Sequence, residues 1–152
     1  MSVSGEMMIR AADNGDISRI AEILVFNNRI NFLPIFGDES YSFGEMQVLR
    51  VARDLTEDRL RNIFVYDDGI VRGFVEIDGE ELKRLYVEPL FQGRGIGAEL
   101  IEFAAARGCR FPWALEKNER ALRFYERHSF TDTGERKYED GTKEYLVKLS
   151  KD

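Results

Sequence analysis

The sequence predicts an α/β fold of the α+β kind: a mixed, mostly antiparallel central sheet of about seven strands flanked by about four helices. Three observations predict it. Residues 82–107 read as strand, glycine-rich turn and helix in one uninterrupted run. Leu85, Tyr86 and Val87 are strand formers, Pro89 halts the strand, and from Ile96 the apolar residues Leu100, Ile101, Ala104 and Ala105 recur at helical spacing until Gly108 stops the helix. Three Asp-Gly pairs, at Asp68-Gly69, Asp78-Gly79 and Asp140-Gly141, lie between runs rich in strand formers, and each is a hairpin signal. Near the N-terminus, Ile17, Ile20, Ala21, Leu24 and Val25 fall at i, i+3, i+4, i+7 and i+8, the pattern of a helix with one face on a core.

Taken in order, residues 6–12 are expected to form an opening strand, followed by the Asp13-Asn14-Gly15-Asp16 turn and the helix from Ile17. Residues 27–41 carry Pro34, Gly37 and the apolar Phe32, Leu33, Ile35 and Phe36 without clear periodicity, and are expected to be a loop. Ser42-Phe43-Gly44-Glu45 has the spacing of a capping box, with Tyr41 and Met46 placed for a hydrophobic staple, so a second helix is expected from Phe43 to about Leu55. Residues 62–66, 70–77 and 82–87 should form a meander. Residues 108–115 should be a parallel neighbour reached through the helix at 96–107, and 130–138 with 142–149 a closing hairpin. No repeat, low-complexity segment or linker interrupts the series, so residues 1–152 are expected to be a single domain.

Bulk properties narrow the function. With 43% hydrophobic and 33% charged residues the composition is that of an ordinary globular chain, and a net charge of -6 argues against nucleic acid as a partner. One cysteine, Cys109, excludes an internal disulfide, and with one histidine, His128, it leaves too few ligands for a conventional zinc site, so no metal is expected. No apolar run suits a signal peptide or a membrane span, which gives a cytoplasmic expectation with no membrane partner.

The chemistry concentrates at the glycine turn. Gly93, Gly95 and Gly97 remove three Cβ atoms ahead of a helix whose first N–H groups and positive dipole end favour a phosphate. The lysine of a P-loop is absent. Gly93-x-Gly95-x-x-Ala98 satisfies a permissive dinucleotide fingerprint, but several residues separate Val87 from Gly93 and most of the chain precedes them, unlike the opening of a dinucleotide domain. The stretch Gln92-Gly93-Arg94-Gly95-Ile96-Gly97, after Val87-Glu88-Pro89, instead resembles the coenzyme A pyrophosphate loop of the GCN5-related N-acetyltransferase (GNAT) family, Gln/Arg-x-x-Gly-x-Gly/Ala after a Val-x-Pro strand end. Downstream, Asn118-Glu119-Arg120-Ala121-Leu122-Arg123-Phe124-Tyr125-Glu126-Arg127-His128-Ser129-Phe130 is similar to the family's Asn-x-x-Ala-x-x-Phe-Tyr-x-x-x-Gly-Phe, departing only at Ser129.

The resemblance implies the GNAT fold and an acetyl-coenzyme A-dependent transfer of an acetyl group to a primary amine of a small molecule or peptide, by direct attack on the thioester. The alternative is a non-catalytic acyl-coenzyme A-binding module. By the same resemblance Leu85, Tyr86 and Val87 would hold the acyl-pantetheine arm. Gln92, Gly93, Arg94, Gly95, Ile96, Gly97 and Ala98 would hold the pyrophosphate, and Asn118 would cap its helix and contact the pantetheine. Tyr125 would be the general acid toward the leaving thiolate, a role that suits a phenol protonated at neutral pH. Glu81, eleven residues before Gln92, is the candidate general base, with Glu76 as fallback. Trp113 stands where ribosomal-protein acetyltransferases of the family place a glutamate, which counts against that substrate class. His128 reads as a partner for a helix C-terminus and Cys109 as a small buried residue. The aromatic stretch around Phe32 and Phe36, with Glu39, Glu80 and Glu81 near its mouth, implies an amine with an apolar part in preference to a polycation, and the protein itself is expected to be a monomer or homodimer.

Overall fold

The computed structural model describes residues 8–152. Seven strands, β1 (Ile9–Ala11), β2 (Ile63–Asp67), β3 (Val71–Asp78), β4 (Glu81–Val87), β5 (Phe111–Leu115), β6 (Thr131–Tyr138) and β7 (Tyr145–Ser150), lie in the order β1-β2-β3-β4-β5-β7-β6. Five α-helices, α1 (Ile17–Phe36), α2 (Val48–Asp54), α3 (Glu57–Leu60), α4 (Ile96–Ala106) and α5 (Glu119–Arg127), cover both faces. Alternation along β3 shows why two layers form. Phe74 packs with Ile20, Leu24, Val51 and Leu60 on one face, while its neighbour Val75 packs with Leu100, Ile101, Ala104 and Phe130 on the other.

The meander appears as expected, with the three Asp-Gly pairs between antiparallel strands and Gly79 holding φ at +61° in the tight β3–β4 turn. The opening strand is Ile9–Ala11. Residues 6 and 7 of the expected strand lie outside the described residues. Arg10 of β1 binds both Asp16 (2.8 and 2.9 Å) and Asp67 (2.9 and 3.1 Å), tying the start of α1 to the sheet edge. These bonds hold the Asp16 carboxyl below the usual carboxylate range.

Two expectations are corrected. Residues 27–36 are helix and not loop, because the one-face spacing of Ile17 to Val25 continues through Asn28, Asn31, Phe32 and Ile35. Pro34 falls in the last turn, and Gly37 closes the helix at φ +65° with its N–H on the Leu33 carbonyl (2.8 Å). The capping box at Ser42 does not form either. Ser42 is buried inside a π-helical segment, Ser40–Glu45, that Arg29 fastens to α1 through the carbonyls of Ser42 (3.0 Å) and Met46 (3.2 Å). Helix α2 therefore starts at Val48, and the short α3, capped by Thr56, is an additional element.

One irregularity sets up the rest of the molecule. Ile77 pairs with Leu82 and Glu76 with Arg84, so Lys83 is an extra residue that bends β4. The single parallel pairing, β4 with β5, is confined to Glu81↔Phe111 and Leu82↔Pro112, after which β5 stays with β7 and leaves β4.

At the far end of α5, Ser129 takes φ +72°, with its own N–H on the Glu126 carbonyl and that of Phe130 on the Tyr125 carbonyl. This is a left-handed helix stop that favours glycine. Ser129→Gly should stabilise the protein by about 1 kcal/mol, read as a higher urea midpoint at unchanged slope.

Candidate active site

The divergence of β4 and β5 opens a cleft of about 1320 Å³. This exceeds the roughly 300–1,000 Å³ of a typical small-molecule pocket, so there is room for two molecules side by side. Its walls are β4 (Leu85, Tyr86, Val87), β5 (Trp113, Ala114, Leu115), the glycine turn, α5, the second half of α1, the π-helical segment and the β6–β7 loop. Beyond Leu82 the β5-facing edge of β4 has no partner strand, so main-chain groups there are available to a ligand.

At the floor of the cleft the glycine turn joins α4. Gly93 and Gly95 hold φ of +81° and +84°, and a Cβ at either would meet nothing within 4 Å, so these two glycines serve backbone conformation and leave open space above them. Gly97 has a different reason: a Cβ there would lie 3.2 Å from Cε1 of Phe124, so it allows α4 and α5 to approach. Gly95 is the N-cap and offers no side chain, which leaves the N–H groups of Ile96, Gly97 and Ala98 without intrahelical partners.

An amide clamp fixes this turn against the strand end. Asn27 of α1, 3% exposed, donates from Nδ2 to the carbonyls of Ile23 and Val87 (both 2.9 Å). Gln92 donates from Nε2 to the Val87 carbonyl (3.1 Å) and to Asn27 Oδ1 (3.2 Å). Glu88 caps the short 3-10 turn Pro89–Phe91 through the Leu90 N–H (2.6 Å). The site residue Gln92 thus has a structural partner, Asn27, in the segment that reads as loop from sequence. Its signal was the unbroken helical spacing past Val25.

On the opposite wall Asn118 caps α5 by accepting the Ala121 N–H (3.2 Å), and Tyr125 faces the cleft about two turns further on the same helix. Tyr125 packs edge-on against Phe124 and Phe130, is 9% exposed, and burial, with Tyr86 near by, raises its hydroxyl well above the usual phenol range. The His128 ring lies tilted against Phe124 with centroids 4.9 Å apart, and burial lowers the pKa of its imidazole. Leu85, Tyr86, Val87, Gln92, Gly93, Gly95, Ile96, Gly97, Ala98, Asn118 and Tyr125 are brought together around one cleft. Arg94 stays beside it with its guanidinium 5.4 Å from the Phe91 ring.

Glu81 is not brought there. It starts β4 at the paired end, opposite Phe111, about 13 Å of strand from Leu85, with Lys83 3.9 Å away. Glu76 is buried, and both its oxygens are taken, by Arg59 (3.0 and 3.2 Å) and Arg84 (2.9 Å). Carboxylates that do line the cleft are Asp38, just before the π-helical segment, Glu45 at its end, and Glu139, Asp140 and Glu144 on the β6–β7 loop.

Residues 59–132 match the model of the acetyltransferase (GNAT) domain. A peptidyl-lysine N-acetyltransferase of Escherichia coli, YjaB, is 31% identical over 48% of this chain and 50% of its own length. The solution structure of apo-form YjaB superposes with a TM-score of 0.73 at 21% identity, covering 93% of this chain and 95% of that one. A putative acetyltransferase of Salmonella typhimurium, yncA, solved with its cofactor acetyl-CoA, gives 0.64 at 20% identity over 93% and 90%. The chain spans between half and about three fifths of the length of the curated relatives it matches. Among the described residues no helix is long and apolar enough to cross a membrane.

The clamp can be tested apart from function. Asn27→Ala strands the Val87 carbonyl with one donor fewer and should cost about 1–3 kcal/mol of stability, measured by denaturant unfolding.

Proposed function

We propose that residues 1–152 act as one domain that transfers an acetyl group from acetyl-coenzyme A to a primary amine of a small molecule or peptide. The supporting observation is that the unpaired edge of β4, the open glycine turn and Tyr125 line one cleft. The N–H groups of the turn and of the α4 N-terminus receive the pyrophosphate. The pantetheine arm follows the free edge of β4 and brings the thioester carbonyl to the main chain of Leu85–Val87, where N–H groups stabilise the developing oxyanion.

The amine nitrogen forms a C–N bond as the C–S bond breaks, and the sulfur leaves with the bonding pair. A thiol with a reference pKa of about 8.5 is more acidic than a phenol held above 10, so Tyr125 acts chiefly as a hydrogen-bond donor to the departing sulfur. With Glu81 outside the cleft lining, the amine's proton passes to water or to a carboxylate of the mouth. The name of the YjaB relative, a peptidyl-lysine acetyltransferase, supports the amine class. Phe32, Phe36, Tyr41 and Met46 along the acceptor wall favour an amine on an apolar stem over a polycation.

The test is release of free thiol from acetyl-coenzyme A over a panel of phenethylamine, blocked lysine peptides, amino acids, spermidine and an aminoglycoside. Acetyl-coenzyme A binding without release from any amine would make the protein a binding module.

Gly95→Asp places a negative charge at the pyrophosphate position and should abolish coenzyme A binding in calorimetry. Gly95→Asn, which carries the same left-handed backbone cost, should weaken binding far less. Tyr125→Phe should lower kcat by about tenfold or more with little change in acetyl-coenzyme A affinity, because the hydroxyl is needed only as the sulfur leaves. Since burial raises this phenol, kcat of the wild type should show no loss of an acid between about pH 8 and 10.

A further inference from the structure

Asn28 Oδ1 is the buried side-chain oxygen that nothing in the described structure satisfies: it is shut off from solvent and accepts no hydrogen bond. The residue is 5% exposed, on α1, a helix that otherwise buries its amides with care. Its neighbour Asn27 makes both donors and its oxygen count, against Ile23, Val87 and Gln92. A buried amide oxygen without a donor loses its hydration and gains nothing in return, so an apolar side chain would serve packing better at that position.

The surroundings indicate what would satisfy it. Asn28 lines the cleft, and so do Leu24, Asn31 and Phe32, four before, three after and four after on the same helix face. The residue before it donates to the carbonyl of Val87 at the end of β4, and Asn28 and Val87 line the same cleft. In the π-helical segment and the β6–β7 loop the charged residues that line this cleft are Glu45, Glu139, Asp140 and Glu144 against Lys143, so a cation is drawn to that side of it. Of the two polar atoms of this cleft-lining amide Oδ1 alone is shut off, and the terminal torsion of an asparagine is soft, so a half-turn exchanges Oδ1 with Nδ2.

We propose that Asn28 binds the acceptor: its Oδ1 accepts an N–H from the incoming primary amine and holds the nitrogen beside β4, while the apolar stem lies along Phe32 and Phe36. This rests on the acetyltransferase reading above and names the group that positions its second substrate. The acceptor class is an amine with an apolar stem and a nitrogen carrying at least two hydrogens, one for Asn28 and one to be lost in the transfer.

The experiment uses the full chain and the amine of the panel with the highest rate, comparing wild type, Asn28→Leu and Asn28→Asp. Asn28→Leu should keep or raise the melting temperature, raise KM for the amine about tenfold or more, and leave KM for acetyl-coenzyme A within about twofold. Asn28→Asp keeps an oxygen there and should retain the amine KM near that of the wild type. An unchanged amine KM in Asn28→Leu overturns the proposal and makes the orphan oxygen a packing defect. A rise confined to the acetyl-coenzyme A KM also overturns it, since that is a donor-side role. Should Asn28→Leu fail to fold, Asn28→Ala provides the same comparison. Absence of thiol release by the wild type with every amine defeats the acetyltransferase reading itself, and this proposal with it, before any variant is made.

Discussion

The separation of β4 from β5 is the constraint on which the site depends. A sheet that kept both strands paired along their length would fill the space now held by the cleft and satisfy the edge of β4 internally. Two features prevent this. The extra residue Lys83 bends β4 just where pairing to β5 stops, and β5 gains its remaining bonds from β7, with Trp113, Ala114 and Leu115 opposite Lys148, Val147 and Leu146. An unpaired edge in a central strand is costly unless something satisfies it. Here the cost is partly met by the Asn27 and Gln92 amides at the Val87 carbonyl, and the rest of the edge faces the cleft.

The clamp also explains why a helix from the start of the chain bears on a loop in its middle. Asn27 and Gln92 are joined by an amide pair, and both bind one carbonyl, so α1, β4 and the glycine turn are tied together at that point. The same helix, fastened by Arg29 to the π-helical segment, carries the wall across from the β6–β7 loop. Helix α1 thus bears on both halves of the cleft.

How much of this was legible in the sequence follows from which atoms build each part. The glycine turn, the strand end before it and the capped helix with Tyr125 are made by backbone conformations, and backbone conformations demand particular residues at fixed spacing. The Gln92–Gly97 and Asn118–Phe130 stretches could therefore be read directly, as could the Asp-Gly hairpins. Residues 27–45 could not. Pro34 and Gly37 carry the signals of a loop but sit in the last turn and at the stop of a longer helix, and Ser42 satisfies a capping-box spacing while lying buried in a π-helical turn. Glu81 was placed by counting along the sequence from the glycine turn, and counting does not register that the bend at Lys83 and the pairing with Phe111 keep it at the closed end of β4.

The same division bears on specificity. On the proposed reading the donor is a polyanion held mainly by main-chain N–H groups, with Arg120 and Arg127 in the lining on that side, and such a half-site needs few particular side chains. The acceptor half is bounded by side chains from α1, the π-helical segment and the β6–β7 loop, where carboxylates outnumber cations and Arg84 is already committed to Glu76. Opposite electrostatic characters at the two ends of one cleft keep a phosphate-bearing donor and a cationic amine from exchanging places, since each would meet its own sign at the wrong end. The amine must still give up its charge before it attacks, and apolar walls at Phe32 and Phe36 lower the cost of the neutral form relative to the ammonium. Attraction at the mouth and desolvation further in are thus successive steps of one path, and the order of residues from the acidic loops to the end of β4 follows it.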